Sequence, residues 1–255
     1  MKKQDSKTSE LTILALDTSS GATRIAVSRG QTLLRSINAP ADQRRSENLW
    51  SDVQSLLRDL DMSIADVDVF AVCVGPGSFT GVRVGMAAVK GFSAAGNKPI
   101  VGVTSLEAVA FASGPAPFVC SMVTAYKGDV YSQLFSFDED GVPVAQNAPM
   151  VSTFDKALER VAAVNELVLA GDGVEARVAE PLTNRQQLSQ HKSAIKRANH
   201  NLAEDLARLA FLKIARGEVE TAESLKASYV RPAEAEIKLS LGLLGSKIKR
   251  TMKRE

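Results

Sequence analysis

The chain has 255 residues, enough for one large domain or two small ones, and its 45 % hydrophobic and 24 % charged residues are the balance of a globular protein with a sizeable core. The formal net charge of +2 hides an asymmetry: residues 237–255 hold six Lys/Arg and one Glu, a net of +5, so the remainder carries −3 by difference. That excludes a basic nucleic-acid-binding body and concentrates any affinity for RNA or an anionic surface in the tail. No apolar stretch is long enough to cross a bilayer, and the polar leader at 1–10 lacks the apolar segment of a signal peptide, so a cytoplasmic location is expected.

In chain order, Thr12–Leu16 reads as a buried strand, Asp17–Gly21 as a turn, and Arg24–Ser28 as a half-buried strand of alternating character. Residues 31–37 can add a third strand to the meander. Leu49, Val53, Leu56, Leu57 and Leu60 then recur at helical spacing, with Ser46 as the expected N-cap. Val67–Val74 returns to strand. A glycine-rich turn leads into a helix from about Gly81 to Ala95, followed by a strand at 100–103 and a capping box, Thr104-Ser-Leu-Glu107, that opens the next helix.

The second half repeats this order in abridged form. Strands are expected at 118–123 and 130–137, with turns at 127–129 and 138–141, then a helix at 154–163. A short strand at 167–170 ends in Gly171-Asp172-Gly173. Residues 183–199 read as polar loop and 201–216 as an amphipathic helix. Two related α/β units side by side is the architecture this order implies. Cys73 and Cys120 sit in apolar runs without a CxxC spacing or nearby histidine, as two buried thiols in a reducing compartment would.

The run Gly75–Gly85, GPGSFTGVRVG, joins a strand to a helix. Backbone N–H groups at a helix N-terminus can cradle phosphate, and Gly77 and Ser78, together with Asp17, Thr18 and Ser19, are the candidates for weak phosphate binding. Yet no Gly-Lys-Ser/Thr follows and the third glycine of a dinucleotide fingerprint is absent, so the run reads first as a tight strand–helix turn and only second as a phosphate cradle. On the helix behind it, Val82, Met86, Val89 and Ser93 share one face, while Val84, Ala88, Gly91 and Ala95 lie opposite as a strip of small residues, with Arg83 and Lys90 on the flanks. Such a strip lets another helix come close, either within the chain or from another subunit. Trp50, beside Leu57 on the preceding helix, suits an interface or a core equally.

Taken together, ILALDTSS (13–20), RRSENLW (44–50), GPGSFTGVRVG, Lys90-Gly91, GVTSLEA (102–108), the GDG at 171–173 and YVRP (229–232) resemble the bacterial TsaB (YeaZ) family over about residues 11–232. The resemblance implies an α/β, actin/hexokinase-like (ASKHA) fold of two ribonuclease-H-like lobes with the second reduced. Residues 11–110 would form the N-terminal lobe and 111–200 the reduced lobe. Residues 201–236 would pack back on the first lobe, ahead of a basic tail at 237–255. It further implies a non-catalytic scaffold subunit for threonylcarbamoyladenosine modification of tRNA at the adenosine just after the anticodon. The expected partners are a TsaD-like catalytic subunit, a TsaE-like ATPase and, through the complex, tRNA, with a homodimer when the chain is alone. Trp50, Leu57, Arg83, Val84, Ala88, Gly91 and Ala95 match the partner face by position. No resident cofactor is implied, ATP or ADP at the partner interface being the one nucleotide position left open.

The residues argue in the same direction. Threonylcarbamoyl-transferring relatives hold a metal with His-x-x-x-His, whereas this chain has only His191 and His200, nine apart. The alternative, a small-molecule kinase or ATPase of the same fold, has Asp17 after the first strand but Thr124 where the second carboxylate is required, with Asp129 expected in an exposed turn. Ser78 lies in G-P-G-S-F with no histidine near it to act as base.

In the tail, Ile237, Leu241, Leu244, Ile248 and Met252 recur at helical spacing among Lys and Arg, although Gly242 and Gly245 weaken a helix there. The readings are a frayed basic extension, contact with tRNA phosphates, or a surface-seeking amphipathic helix. The phosphate reading predicts salt-sensitive RNA binding that disappears on deletion of 237–255. Fluorescence anisotropy at two salt concentrations checks it, and binding that survives the deletion removes it.

Overall fold

The structure is a computed structural model that describes residues 10–20, 22–39, 45–179, 194–196 and 201–230, with only the backbone at 45–47. His191, His200, the basic tail and most of the polar stretch 183–199 lie outside the described residues.

The first lobe is a five-stranded sheet in the order β3-β2-β1-β4-β5, made of β1 (Thr12–Asp17), β2 (Thr23–Arg29), β3 (Thr32–Ala39), β4 (Val69–Cys73) and β5 (Ile100–Val103). The meander β1–β2–β3 is antiparallel, whereas β4 and β5 run parallel to β1. Helices α1 (Arg45–Arg58) and α2 (Phe79–Gly96) make the crossovers on one face. Alternation explains the packing: Leu14, Leu16, Phe70 and Val72 point toward α1 and α2, while Ile13, Ala15, Val69, Ala71 and Cys73 point to the other face. Both faces are covered, which is why these strands read as continuous apolar runs.

The second lobe repeats the order as β11-β10-β6-β7-β8, from β6 (Phe118–Thr124), β7 (Asp129–Phe137), β8 (Pro143–Ala145), β10 (Leu167–Ala170) and β11 (Ala194–Lys196). Strand β9 (Met150–Thr153) pairs with the first half of β7 as β8 does with the second. Helices α4 (Phe154–Val161) and α5 (Asp172–Val178) cover its outer face. Between the two sheets lies a shared helical layer of α3 (Ser105–Ala112) and α6 (Leu202–Ala215). Leu206, Leu209 and Ala210 of α6 pack on the first sheet, and Leu106, Val109 and Ala110 of α3 on the second. The Lys213 ammonium ties the two helices together by its 2.8 Å contact with Glu107. At the end of α6, Arg216 reaches Asp138 and Asp140 at 2.7 Å each, and its hydrogen bond holds the Asp138 carboxyl below the usual carboxylate range.

The second lobe is less abridged than its sequence suggests. The strands β8 and β9 and the helix α5 were not expected, and residues 194–196, assigned to loop, form an edge strand parallel to β10. Helix α1 already begins at Arg45, so Ser46 lies in its first turn rather than capping it, and Leu60 falls in the turn beyond its end. The capping box is present as read: Thr104 Oγ1 accepts from the Glu107 N–H at 3.1 Å, and Glu107 accepts from the Thr104 N–H. Both cysteines are free and buried, and burial pushes the Cys120 thiol up to about 12.

Helix α2 contains glycines of two kinds. A Cβ at Gly81 would sit 1.9 Å from the Thr18 carbonyl oxygen, a backbone atom that cannot step aside, whereas a Cβ at Gly91 meets nothing within 4 Å. Gly81→Ala is expected to cost about 3 kcal/mol of stability. Gly91→Ala is expected to gain roughly 0.5–1 kcal/mol from helix propensity. Urea denaturation of the two variants beside the parent chain checks both signs.

Candidate functional site

The five residues nominated for phosphate binding do come together, and they bind one another. Glycines 77, 81 and 85, four apart, line a groove on the start of α2, and the turn after β1 lies in it. A Cβ at Gly77 would come within 2.3 Å of the Ser19 carbonyl oxygen, and one at Gly85 within 2.4 Å of Thr18 Oγ1. Thr18 Oγ1 donates to the Gly81 carbonyl at 2.6 Å and the Ser78 N–H donates to the Ser19 carbonyl at 2.6 Å. The Ser78 hydroxyl caps α2 by accepting from the Gly81 N–H at 3.2 Å.

Asp17 is fully buried. One of its oxygens accepts from the Ser19 N–H at 2.9 Å and from the Ser19 hydroxyl at 2.6 Å, and the other takes the Arg24 guanidinium at 2.9 Å. Beneath it, the Cys73 thiol is pushed far up, first by burial and then by the Asp17 charge. The carboxylate thus serves as the anchor of the turn. The four-residue spacing of the glycines was the signal for this contact, and it is present in the sequence.

The corresponding place in the second lobe is built alike but with different chemistry. Thr124 ends β6 as Asp17 ends β1, and its N–H donates to the Asp172 carboxylate of the GDG turn at 2.9 Å. A Cβ at Gly171 would meet the Met122 carbonyl oxygen at 2.2 Å, so this glycine turn also presses on the end of the first strand. Asp129 opens β7 and is half-buried rather than exposed. Among the described residues no three His, Cys, Asp or Glu side chains converge as metal ligands.

The outward side of α2 is open. Arg83, Gly91 and Ala95 are exposed, Val84 and Ala88 half-buried, and Ala87 and Ala94 extend the small-residue strip between them. One flank is aromatic: Trp50, 46 % exposed, packs on Phe92 at 5.4 Å between centroids, and Phe92 packs on the buried Phe70 at 5.6 Å. Leu57 does not belong to this surface. It is 2 % exposed, because its position on α1 turns it inward with Val53 and Leu56.

The other flank is cationic. The Arg83 guanidinium stacks over the Phe79 ring at 3.7 Å, its Nε donates to the Tyr229 hydroxyl at 2.9 Å, and Tyr229 packs on Phe79 at 5.4 Å. Phe79, Phe92 and Tyr229 escaped the sequence reading. Phe92 could have been found from its place on the wheel at the edge of the strip, but Tyr229 is distant in sequence and only the fold brings it here.

Two sheets of matching strand order around a shared helical layer define the class: a two-lobed α/β protein that repeats one sheet-and-helix unit. A protein-family model for TsaD, tRNA N6-adenosine threonylcarbamoyltransferase, matches residues 38–238. The tRNA threonylcarbamoyladenosine biosynthesis protein TsaB of Bacillus subtilis is 35 % identical over 129 residues, 50 % of this chain and 56 % of that protein. Its namesake from Escherichia coli is 29 % identical over 171 residues, 64 % of this chain and 72 % of that protein. The match to the Bacillus relative therefore spans little more than half of that protein's length. A crystal structure from Pseudomonas aeruginosa, of a protein described as similar to peptidase YeaZ, superposes with a TM-score of 0.71 at 28 % identity. That superposition covers 87 % of this chain and 100 % of that one. The chain belongs to the threonylcarbamoyltransferase family that the TsaD model represents, and within it to the TsaB (YeaZ) group.

Asp17 as an anchor predicts that Asp17→Asn destabilises the fold by about 2 kcal/mol, since it leaves the Arg24 charge without its carboxylate and weakens two hydrogen bonds to Ser19. Thermal unfolding of the variant checks this, and an unchanged midpoint overturns the anchor role.

Proposed function

We propose that this chain is a non-catalytic scaffold subunit in threonylcarbamoyladenosine modification of tRNA, at the adenosine just after the anticodon. In this reading it dimerises with a TsaD-type catalytic subunit through the outward face of α1 and α2. The observation that carries the proposal is the contrast among the glycines of α2. Gly81 and Gly85 each face an atom of the β1 turn that excludes a Cβ, but Gly91 faces open space. A glycine inside a helix costs about 1 kcal/mol relative to alanine. Among the described residues nothing near Gly91 requires that sacrifice, and a helix approaching from outside would account for it.

The rest of the face supports the same reading. A strip of Val84, Ala88, Gly91 and Ala95 lets a second helix approach closely. Trp50, steadied by Phe92 and through it by the core, has the rigidity and partial exposure of an interface anchor. Relatives named for threonylcarbamoyladenosine biosynthesis supply the process, and the catalyst's family model supplies the kind of partner. A second copy of the chain would use the same face, so self-pairing and pairing with the catalyst exclude one another. A TsaE-like ATPase, and ATP or ADP at the subunit boundary, belong to the assembled complex, and tRNA reaches this chain through it.

A kinase or ATPase centred on Asp17 finds less support. Both Asp17 oxygens are engaged, and Thr124 stands where the second carboxylate is needed. The contribution of this chain is then positional: it presents a rigid surface and performs no bond-making step.

Gly91→Trp and Ala95→Trp, at exposed positions of the strip, are expected to keep the wild-type stability within about 1 kcal/mol. The same variants lose co-purification with the TsaD-type subunit and lose modification in a reconstituted reaction. Variants that co-purify at wild-type yield place the interface elsewhere.

A further inference from the structure

We propose that Arg83, held by Phe79 and Tyr229, is a preformed carboxylate clamp that makes this face select an acidic partner helix over a second copy of the chain. The inference rests on the scaffold reading above and adds to it the chemistry of the partner's contact.

The guanidinium is an unusually constrained group for a surface arginine. One of its faces lies on the Phe79 ring at 3.7 Å, and its Nε is committed to the Tyr229 hydroxyl at 2.9 Å. Tyr229 is itself braced by Phe79 at 5.4 Å. Its segment is fastened to the first lobe where the Ser228 N–H donates to the Val74 carbonyl at 2.8 Å. Stacking and the Nε bond fix the plane and leave the two terminal nitrogens, which form the end-on fork that fits a carboxylate in two parallel hydrogen bonds. Among the described residues no carboxylate takes that fork. A free surface arginine would lose side-chain entropy on binding, and this one has already lost much of it.

The charge around it indicates the occupant. Helix α2 carries no Asp or Glu from Phe79 to Gly96. Arg83 and Lys90, seven residues apart, lie two turns from each other along the same flank. Lys90 has the Glu223 carboxylate within electrostatic reach. When two copies meet through α2, each helix brings Arg83 and Lys90 and no acid of its own, with Glu223 of a following segment beside Lys90. A partner helix of small residues with an Asp or Glu at its rim fills the fork instead and removes the repulsion. Opposed charges at a rim act chiefly on association rate, salt dependence and choice of partner.

The test titrates the full chain and its Arg83→Gln, Arg83→Lys and Tyr229→Phe variants against the TsaD-type subunit of the same organism, at low and high salt. Self-association is followed in parallel by sedimentation equilibrium. Arg83→Gln is expected to weaken the heterodimer roughly tenfold at low salt and to flatten its salt dependence, with Arg83→Lys restoring only part of the affinity. Tyr229→Phe, which keeps the ring and loses the hydroxyl, weakens it about threefold. Self-association of Arg83→Gln stays the same or tightens. Wild-type affinity and salt dependence in Arg83→Gln overturn the clamp, as does an equal loss of both kinds of pairing. Gly91→Trp separates the two levels. If it abolishes binding while Arg83→Gln does not, only the clamp falls, and if the wild-type chain fails to bind the subunit, the scaffold reading falls with it.

Discussion

The turn after β1 lies in a groove made of absent side chains. Three glycines at four-residue spacing let the backbone of Thr18 and Ser19 touch α2 directly, and hydrogen bonds from Thr18 and Ser78 close the contact. Because the opposing atoms are mainly backbone, the fit tolerates little movement. It sets the rotation of α2 about its own axis, and with that the residues which look inward and outward. Val82, Met86 and Val89 must then face the sheet and Gly91 and Ala95 must face away from it, with Val84 and Ala88 half-buried at the edge of the core. The same contact occupies Asp17, whose carboxylate holds the turn in shape. One constraint therefore produces a fixed outward face and a carboxylate committed to structure.

The second lobe shows what the repeat keeps and what it loses. Its glycine turn at 171–173 again presses on the end of the first strand, here against the Met122 carbonyl. The backbone device is retained while the side chains around it differ: Thr124 replaces a carboxylate, and the acid of the site, Asp172, arrives from the opposite turn. Fold geometry and reactive groups have separate requirements, and close backbone approach needs only glycine at the right interval.

Much of this was legible in the sequence where one property dominated. Strands buried on both faces announced themselves as apolar runs, the capping box at Thr104 and Glu107 followed from two residues, and the two faces of α2 followed from periodicity. What escaped had weak local signals. Strands β8 and β9 are three and four residues long, and β11 is exposed throughout. Helix α5 has seven residues and follows directly on Gly171, which reads as a turn. The inward rotation of Leu57 and the meeting of Arg83 with Tyr229 depend on where distant segments pack, which spacing alone does not encode. The glycine groove was visible as a pattern, but its purpose required knowing which backbone lay against it.

The first lobe does not stand independently of the second. Helix α3 divides its apolar residues, sending Ala108 and Phe111 toward the first-lobe core and Leu106, Val109 and Ala110 toward the second sheet. Without that sheet the second set faces water, at a cost of several kcal/mol by the usual area relation of about 25 cal/mol per Å². The first residue of α3 is also a fastening point of the glycine turn: the Ser105 N–H donates to the Gly75 carbonyl at 2.9 Å and its hydroxyl donates to the Pro76 carbonyl at 2.6 Å. Loosening α3 would free the Gly75–Pro76 segment, which sets where α2 begins and how Gly77 meets Ser19. The exposed strip on α2 is thus held in place from behind, through the turn and α3, by a sheet that never touches it.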